Sequence, residues 1–565
     1  MMRRFRQFAY LIRNEFKTYD RQHIRADIVA GITVAAVCLP LALAYGIAGG
    51  MTPAAGLVTA IIAGVITGIL GGTAFQISGP TGAMSAVLLV VLHRTGMMGM
   101  WTATLIGGTL LLVMGAFRFG RYVVFIPTPV ITGFTCGIAL IIAIGQIDPA
   151  LGMVTPPADT GLAKLAGYVV FHPTINQWAL ICTLGTIALI WALRRWVPRI
   201  PDALGAMSII TVVSVIAGWD VNRIGSLPST IMLTEHLQWQ RIPWDQLSTM
   251  VSAGFSIAAL AAIESLMTGT AGAALSGKPF DPDQELMAQG MANLVAPWFG
   301  GVPSSAAISR TAVAIRSGAS TRLTSIIHAI FLLLCILFLS QIIALVPLAS
   351  LAGVLLWTAW HMCDWQTLGR YYHARLKHAI AGLLVTVLAT AALDLTQAIL
   401  IGLAVSAIIH LRLEADAAAV SIVPVDPVRL PNARFTTPCA GVRVAYVSGA
   451  LFFGNAAAMQ HALQQEHTCH TLIISMRGVP MIDVMGAEML RQLIRTYHNR
   501  NGQILLAGVQ PAVRTMLTRL HIDTLVGSTH IYWDAASAIH AVHDEIAQHG
   551  CRRCQTPCAA TIPPP

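Results

Sequence analysis

Gln76-Ile77-Ser78-Gly79-Pro80-Thr81-Gly82-Ala83-Met84-Ser85 opens one apolar stretch of this chain, and Gly300-Gly301-Val302-Pro303-Ser304-Ser305-Ala306-Ala307-Ile308-Ser309 opens another. Each sets a proline among small and hydroxyl residues at the head of a hydrophobic run too short to cross a bilayer comfortably. Proline suits a first helical turn, where its missing N–H would be unpaired anyway. Irregular backbone at membrane depth survives only when buried in protein or lining a cavity. The two stretches lie roughly half of the hydrophobic region apart, at matching positions of two halves, the pattern that best marks a transporter's binding site in a sequence. Two kinked packing helices are the plainer alternative, but they leave the matched positions unexplained.

The surrounding composition is that of a membrane protein. Of 565 residues, 55% are hydrophobic and 11% charged, with a mean hydropathy of +0.68, whereas soluble domains carry about a quarter charged residues. Charges are sparse from Ala26 to Leu411 and ordinary from Arg412 onward. A spanning helix needs roughly 20 apolar residues, and candidate segments cover 27–48, 53–71, 76–92, 100–117, 122–146, 177–197, 203–219, 248–276, 285–301, 303–315, 321–343, 345–362, 376–393 and 395–412, about fourteen in all. Arg3, Arg4, Arg6, Arg13, Lys17, Arg21 and Arg25 precede the first run, against Glu15 and Asp20. Basic flanks stay in the cytoplasm, so the N-terminus is placed there, and an even number of crossings returns the C-terminus to the same side of a cytoplasmic (inner) membrane. The net charge of +10 thus reads as topology rather than nucleic-acid binding. The first run is too long for a cleaved signal peptide, and no soluble domain follows it. The expected organisation is a cytoplasmic segment 1–26, a transmembrane domain 27–412, a linker 413–435, a soluble domain 436–548 and a disordered tail 549–565.

A helix N-terminus presents about half a positive charge and free N–H donors. Two half-helices meeting head to head at mid-membrane would therefore bind an anion. The expected substrate-binding residues are Ser78, Pro80, Thr81, Gly82, Ala83, Pro303, Ser304, Ser305, Ala306, Ala307 and Arg310, with Ser85 and Ser309 as further hydroxyls. Arg310 is a full charge inside an apolar segment, which is costly and usually functional; at a helix end it would instead snorkel to the interface. Glu264 has no charged neighbour within the ten residues on either side. Desolvation favours its neutral form, making it a candidate proton carrier. Ionised, it could hold sodium together with Thr268, one turn away on the same face; the plainer role is a protonated interhelical hydrogen bond.

The ten cysteines suggest no disulfide framework. Cys38, Cys136, Cys182, Cys335 and Cys363 read as small buried hydrophobes. Cys551, Cys554 and Cys558 near His543 and His549 have a metal-like spacing, but without a second pair they read as part of the tail. Neither metal nor cofactor is expected. No catalytic triad, phosphate loop or paired metal motif points to an enzyme.

Gly254 through Glu264-Ser265-Leu266, Asp283-Gln284-Glu285-Leu286-Met287-Ala288-Gln289-Gly290, Asn293, Phe299-Gly300-Gly301 and Ser309-Arg310-Thr311 resemble the SulP anion transporter family. Leu39-Pro40-Leu41-Ala42-Leu43-Ala44-Tyr45-Gly46 and Ser78-Gly79-Pro80-Thr81 match its first and third segments. The resemblance implies a polytopic α-helical protein with a seven-plus-seven inverted repeat, core and gate domains, elevator-like movement and a homodimer. It also implies that the soluble part is a small α/β STAS domain, with strands at Val442–Phe453, Thr471–Ser475 and Gln503–Val509 and helices at Gly486–Tyr497 and Ala512–Leu520. Phosphorylatable STAS domains carry serine where Met485 stands in Asp483-Val484-Met485-Gly486, so docking of a cytosolic partner is the expected role. Glu264 resembles the family's bacterial proton-coupled dicarboxylate transporter, whereas sodium-coupled bicarbonate members bear aspartate there. The expected function is proton-coupled uptake of sulfate or a four-carbon dicarboxylate. Sodium-coupled bicarbonate transport, anion exchange, a nucleobase permease and a STAS-based scaffold are the rival readings.

Overall fold

The computed structural model describes residues 12–549 and 551, except 14, 18, 126, 154, 156–163, 166, 169–173, 198–200, 394, 431–437 and 465–468. The chain divides into two compact units, Met1–Val405 and Ser406–Pro565.

The first unit is helical. In order it contains α1 (Arg21–Ala48), α2 (Pro53–Leu70), α3 (Gly82–Ala116), α4 (Thr128–Gly145), α5 (Gln177–Trp196), α6 (Asp202–Ile216), α7 (Leu247–Ser276), α8 (Pro282–Val295), α9 (Ile308–Arg316), α10 (Leu323–Phe338), α11 (Leu348–Met362), α12 (Lys377–Ala392) and the first part of α13 (Leu395–Ala417). Among the described residues, six helices are long and apolar enough to cross a membrane, and most of the second half uses shorter ones. Large apolar side chains such as Ile216 and Phe338 stand exposed, as a lipid-facing surface requires.

Two of the expected segments share α3. Gly96 breaks it at φ 67°, a left-handed conformation that glycine adopts without strain. From Gly82 to this break the helix rises only about 21 Å, and the nine residues of α9 rise about 14 Å. Neither reaches across the roughly 30 Å of a hydrocarbon core. Both are half-helices.

Helix starts follow local chemistry. Asp20 caps α1, accepting from the amides of Gln22 and His23, and Thr52 caps α2 with Pro53 in its first turn. Asp27, fully buried in α1, accepts from the amides of Ser320 and Thr321 and the hydroxyls of Tyr19, Ser320, Thr321 and Thr324. Arg322 pairs with Glu15 at 2.9 Å and donates to the carbonyls of Ile69 and Gly71. These polar brackets tie the entry to α10 onto α1 and α2. Cys136 of α4 and Cys363, just after α11, form a disulfide. That corrects their reading as separate thiols.

The second unit holds a five-stranded sheet of β3 (Ala419–Pro424), β4 (Val442–Ser448), β5 (Thr471–Gly478), β6 (Gln503–Ala507) and β7 (Ile531–Tyr532), in that order, the strand labels β1 and β2 being kept for two short segments of the first unit. β3 is antiparallel to β4 and the rest are parallel. Helices α14 (Ala456–Gln464), α15 (Val484–Asn499), α16 (Pro511–Arg519) and α17 (Ala535–His549) accompany it, with a short helical turn at Ile522–Val526. Residues alternate between two cores: Leu472, Ile474, Ile504 and Leu506 meet Leu490, Leu493 and Val513, while Ile473 and Leu505 meet Ala538, Ile539 and Val542. Both faces of the parallel strands are therefore apolar and covered, as such sheets demand. The stretch read as a linker, 413–435, carries β3, so the sheet begins earlier than expected. Of the expected tail, 550 and 552–565, including Cys554 and Cys558, lie outside the described residues, and Cys551 is half-buried.

Candidate anion site

The two quoted stretches come together. Ser78–Gly79 (β1) and Ser305–Ala306 (β2) pair antiparallel, with Ser78 opposite Ala306 and Gly79 opposite Ser305. α3 begins directly after the first and α9 after the second. Ser78, Pro80, Thr81, Gly82, Ala83, Pro303, Ser304, Ser305 and Ala306 are buried, Ala307 is half-buried, and Ser309 is exposed.

Extended backbone inside a helical bundle must find partners other than helix carbonyls. Neighbouring side chains supply them. The Val302 amide donates to Thr59 Oγ1 at 2.6 Å, and Trp101 Nε1 donates to the Gly301 carbonyl at 2.9 Å. Asn293 of α8 closes a two-way pair on Ser304, accepting from its amide at 2.7 Å and donating to its carbonyl at 2.9 Å. Ser265 accepts from the Ala306 amide at 3.1 Å, and Thr268 donates to the Ala306 carbonyl at 3.4 Å. Across the pseudo-repeat, Thr311 accepts from the Ile77 amide at 3.1 Å and Arg310 Nη2 donates to the Pro80 carbonyl at 2.8 Å.

The helix starts keep donors of their own. Thr81 caps α3, accepting from the Met84 amide, and its carbonyl accepts from the Ser85 amide. The Gly82 and Ala83 amides, one and two residues into α3, precede any intrahelical acceptor, as do those of Ile308, Ser309 and Arg310 in α9. Ser85 is not a pocket donor: its hydroxyl points to the carbonyls of Tyr45 and Thr81.

Glu264 of α7 reaches this junction. Its Oε2 accepts from Thr81 Oγ1 at 2.8 Å and from Ser305 Oγ, and the two hydroxyls are 3.0 Å apart. Three oxygens thus make three close edges. Two hydroxyls own two protons, so one edge lacks a proton while Glu264 is ionised. A protonated Glu264 fills it. Thr268, one turn from Glu264 on α7, donates its hydroxyl to the Ala306 carbonyl of β2.

Arg310 does not snorkel. It is 1% exposed, and a Cβ on Gly79 would lie 2.8 Å from its Nη1, so the glycine makes room for the guanidinium. Arg310 Nη1 and Ser304 Oγ are buried and find no hydrogen-bond partner among the described residues. The arrangement unites a buried cation, two helix N-termini, unpaired donors and one titratable carboxyl, a set that suits a negatively charged guest.

Some contributors escaped the sequence reading. Gln289 Nε2 donates to Ser78 Oγ at 2.6 Å and to Glu285 Oε1 at 2.9 Å, while Glu285 Oε2 accepts from the Gly72 amide. Their four-residue spacing with Asn293 along α8 was the available signal. Thr59 and His328 had none; His328 is fully buried with neither ring nitrogen hydrogen-bonded among the described residues.

Comparison with known proteins agrees with this architecture. Residues 24–387 match the sulfate permease family and 435–538 the STAS domain. YvdB of Bacillus subtilis, a protein named for sulfate transport, is 30% identical over 92% of this chain and 97% of its own. The bicarbonate transporter BicA of a Picosynechococcus is 28% identical over 89% of this chain and 91% of its own. The murine Slc26a9 anion transporter, solved in an inward-facing state, shares the fold with a TM-score of 0.82 over 94% of this chain and 93% of that one, at 18% identity. This chain belongs to the sulfate permease family, whose members are multi-pass anion transporters and not enzymes, and it ends in a STAS domain.

Proposed function

We propose that the protein is a secondary active transporter coupling a proton to uptake of a small divalent anion, sulfate or a four-carbon dicarboxylate such as succinate or fumarate. The observation that carries this is the Thr81–Ser305–Glu264 contact at the junction of the two half-helices. The anion binds between the starts of α3 and α9, on the amides of Gly82, Ala83, Ile308 and Ser309, near Arg310. Ionised, Glu264 repels it. Protonated, Glu264 loses that repulsion and brings a third proton to the three oxygens, so that one hydroxyl can donate to the anion rather than to the carboxylate. Proton and anion therefore enter together. Pro80 and Pro303 keep the preceding backbone extended, so the site is preorganised.

We place both termini in the cytoplasm from the basic N-terminal segment, and we assign alternating access to an elevator-like movement of the half-helix body in a homodimer. Sulfate follows from the name of the Bacillus relative; the bicarbonate named for BicA is the second substrate to test. Radiotracer uptake into liposomes, comparing sulfate, bicarbonate and succinate under imposed proton and sodium gradients, tests the proposal. Proton-driven accumulation of sulfate or succinate is expected. Sodium-driven bicarbonate uptake would replace it with the bicarbonate reading, and absence of flux with every anion would leave a scaffold role.

A further inference from the structure

Cys439, His470 and Cys551 lie far apart in sequence, yet their ligand atoms all fall within 4.8 Å of one another. The topology of the second unit explains the meeting. Cys439 stands just before β4 and His470 just before β5, neighbouring parallel strands that both start at one edge of the sheet. α17 follows β7 and packs on the sheet face lined by Val442, Val444 and Ile473; beyond its end, Cys551 meets the other two.

The distances are those of a coordination shell. Cys439 Sγ is 4.0 Å from Cys551 Sγ, and His470 Nε2 is 3.6 Å and 3.3 Å from the two sulfurs. Ligands about 2.3 Å (sulfur) and 2.0 Å (nitrogen) from a tetrahedral zinc ion stand about 3.8 Å apart for two sulfurs and about 3.5 Å for sulfur and nitrogen. The flanking groups also suit a metal. Nδ1 of His470 is 2.9 Å from Thr471 Oγ1, which fixes the ring and leaves Nε2 as the ligand, the outer-shell pattern of metal-bound histidine. A Cβ on Gly441 would lie 2.5 Å from His470 Nε2, so that glycine makes room for the imidazole. His543 Nε2 accepts from the Cys439 amide at 3.4 Å, which helps position the backbone that carries the cysteine.

We propose that Cys439, His470 and Cys551 form a zinc site that pins the C-terminal end of α17 to the starting edge of the STAS sheet. Two thiolates and an imidazole are soft and borderline donors that select zinc over magnesium or calcium. The cysteine-rich tail has no second pair nearby in sequence; the partners of Cys551 lie about 80 and 110 residues upstream, beyond any spacing motif. Binding displaces the thiol protons of both cysteines, so zinc uptake releases protons and weakens at acid pH.

The test is the purified full-length protein in detergent with reductant, titrated with zinc alone against a chromophoric chelator and assayed for metal after gel filtration. One zinc per chain is expected. Cys439→Ser, Cys551→Ser and His470→Ala should each bring retained zinc to background. Thr471→Val should weaken affinity about 10–100-fold. Cys469→Ser is the control: Cys469 is next to His470 in sequence, but its sulfur donates to the Thr471 carbonyl, and this variant should bind as the parent does. Gel-filtration profile and the thermal unfolding curve of the protein check that each variant is folded. No stoichiometric zinc in the reduced parent, a Cys439–Cys551 disulfide that persists in reductant, or binding unchanged in folded Cys439→Ser and Cys551→Ser would overturn the proposal.

Discussion

Glu264→Gln isolates the proton from the carboxylate. An anion oxygen accepting from the Thr81 or Ser305 hydroxyl would sit one further hydrogen bond from Glu264, which contacts Thr81 at 2.8 Å. At a tetrahedral angle, that places it about 4.6 Å from the carboxylate, and at an effective dielectric of about 20 the repulsion is about 3.6 kcal/mol per unit charge. Every 1.4 kcal/mol is tenfold in affinity, so ionising Glu264 weakens anion binding by about 400-fold per charge. Glutamine matches the protonated carboxyl in shape and lacks its charge: with the amide nitrogen at the Oε2 position, its two protons can be donated to the Thr81 and Ser305 hydroxyls. The parent should thus lose sulfate affinity about tenfold per pH unit above the carboxyl's titration, while Glu264→Gln binds equally well across the range. In liposomes, a proton gradient of one unit should drive about tenfold accumulation in the parent and none in the variant. Binding by radiolabelled sulfate and uptake under an imposed gradient measure the two. Proton-driven accumulation retained by Glu264→Gln would refute the reasoning.

Arg310→Ala removes a buried charge that donates to the Pro80 carbonyl at the head of α3 and should weaken sulfate binding about 30-fold, about 2 kcal/mol for a charge-assisted contact. Its thermal stability should fall less, since a costly buried charge goes with it; unchanged affinity would take Arg310 out of the site. Asn293→Ala strips both partners from the Ser304 backbone and should cost about 2–4 kcal/mol through two buried groups left unpaired, read as a lowered melting temperature in detergent. Truncation after Pro431 should leave sulfate binding intact while reducing expression or changing oligomeric behaviour on gel filtration; loss of binding in a folded truncation would put part of the site in the STAS domain.

Much of the transport unit was legible because the bilayer restricts what a chain can do. Apolar length located the helices from 27–48 to 395–412, and Pro80 and Pro303 located the half-helices, since proline amid small residues heads a run that cannot span. The site's inner support was not legible. Asn293, Gln289 and Thr59 act on backbone through contacts made only once the repeats interlock, and polar residues in a helix do not announce which loop they will bracket. Thr268 shows the converse: on the same helical face as Glu264, it is engaged elsewhere. Cys136 and Cys363 are 227 residues apart, and no spacing rule reaches that far. β3 was missed because an edge strand of six residues, partly exposed along its length, has little apolar signal to separate it from a linker.

The central claim is that two opposed half-helices hold the anion on their first-turn amides. Selenate, a sulfate mimic whose selenium scatters anomalously, tests this in a crystal of the purified transporter. One anomalous peak is expected within hydrogen-bonding reach of Gly82, Ala83, Ile308 and Ser309. A fully occupied peak elsewhere, with that junction closed to the ion, would contradict it.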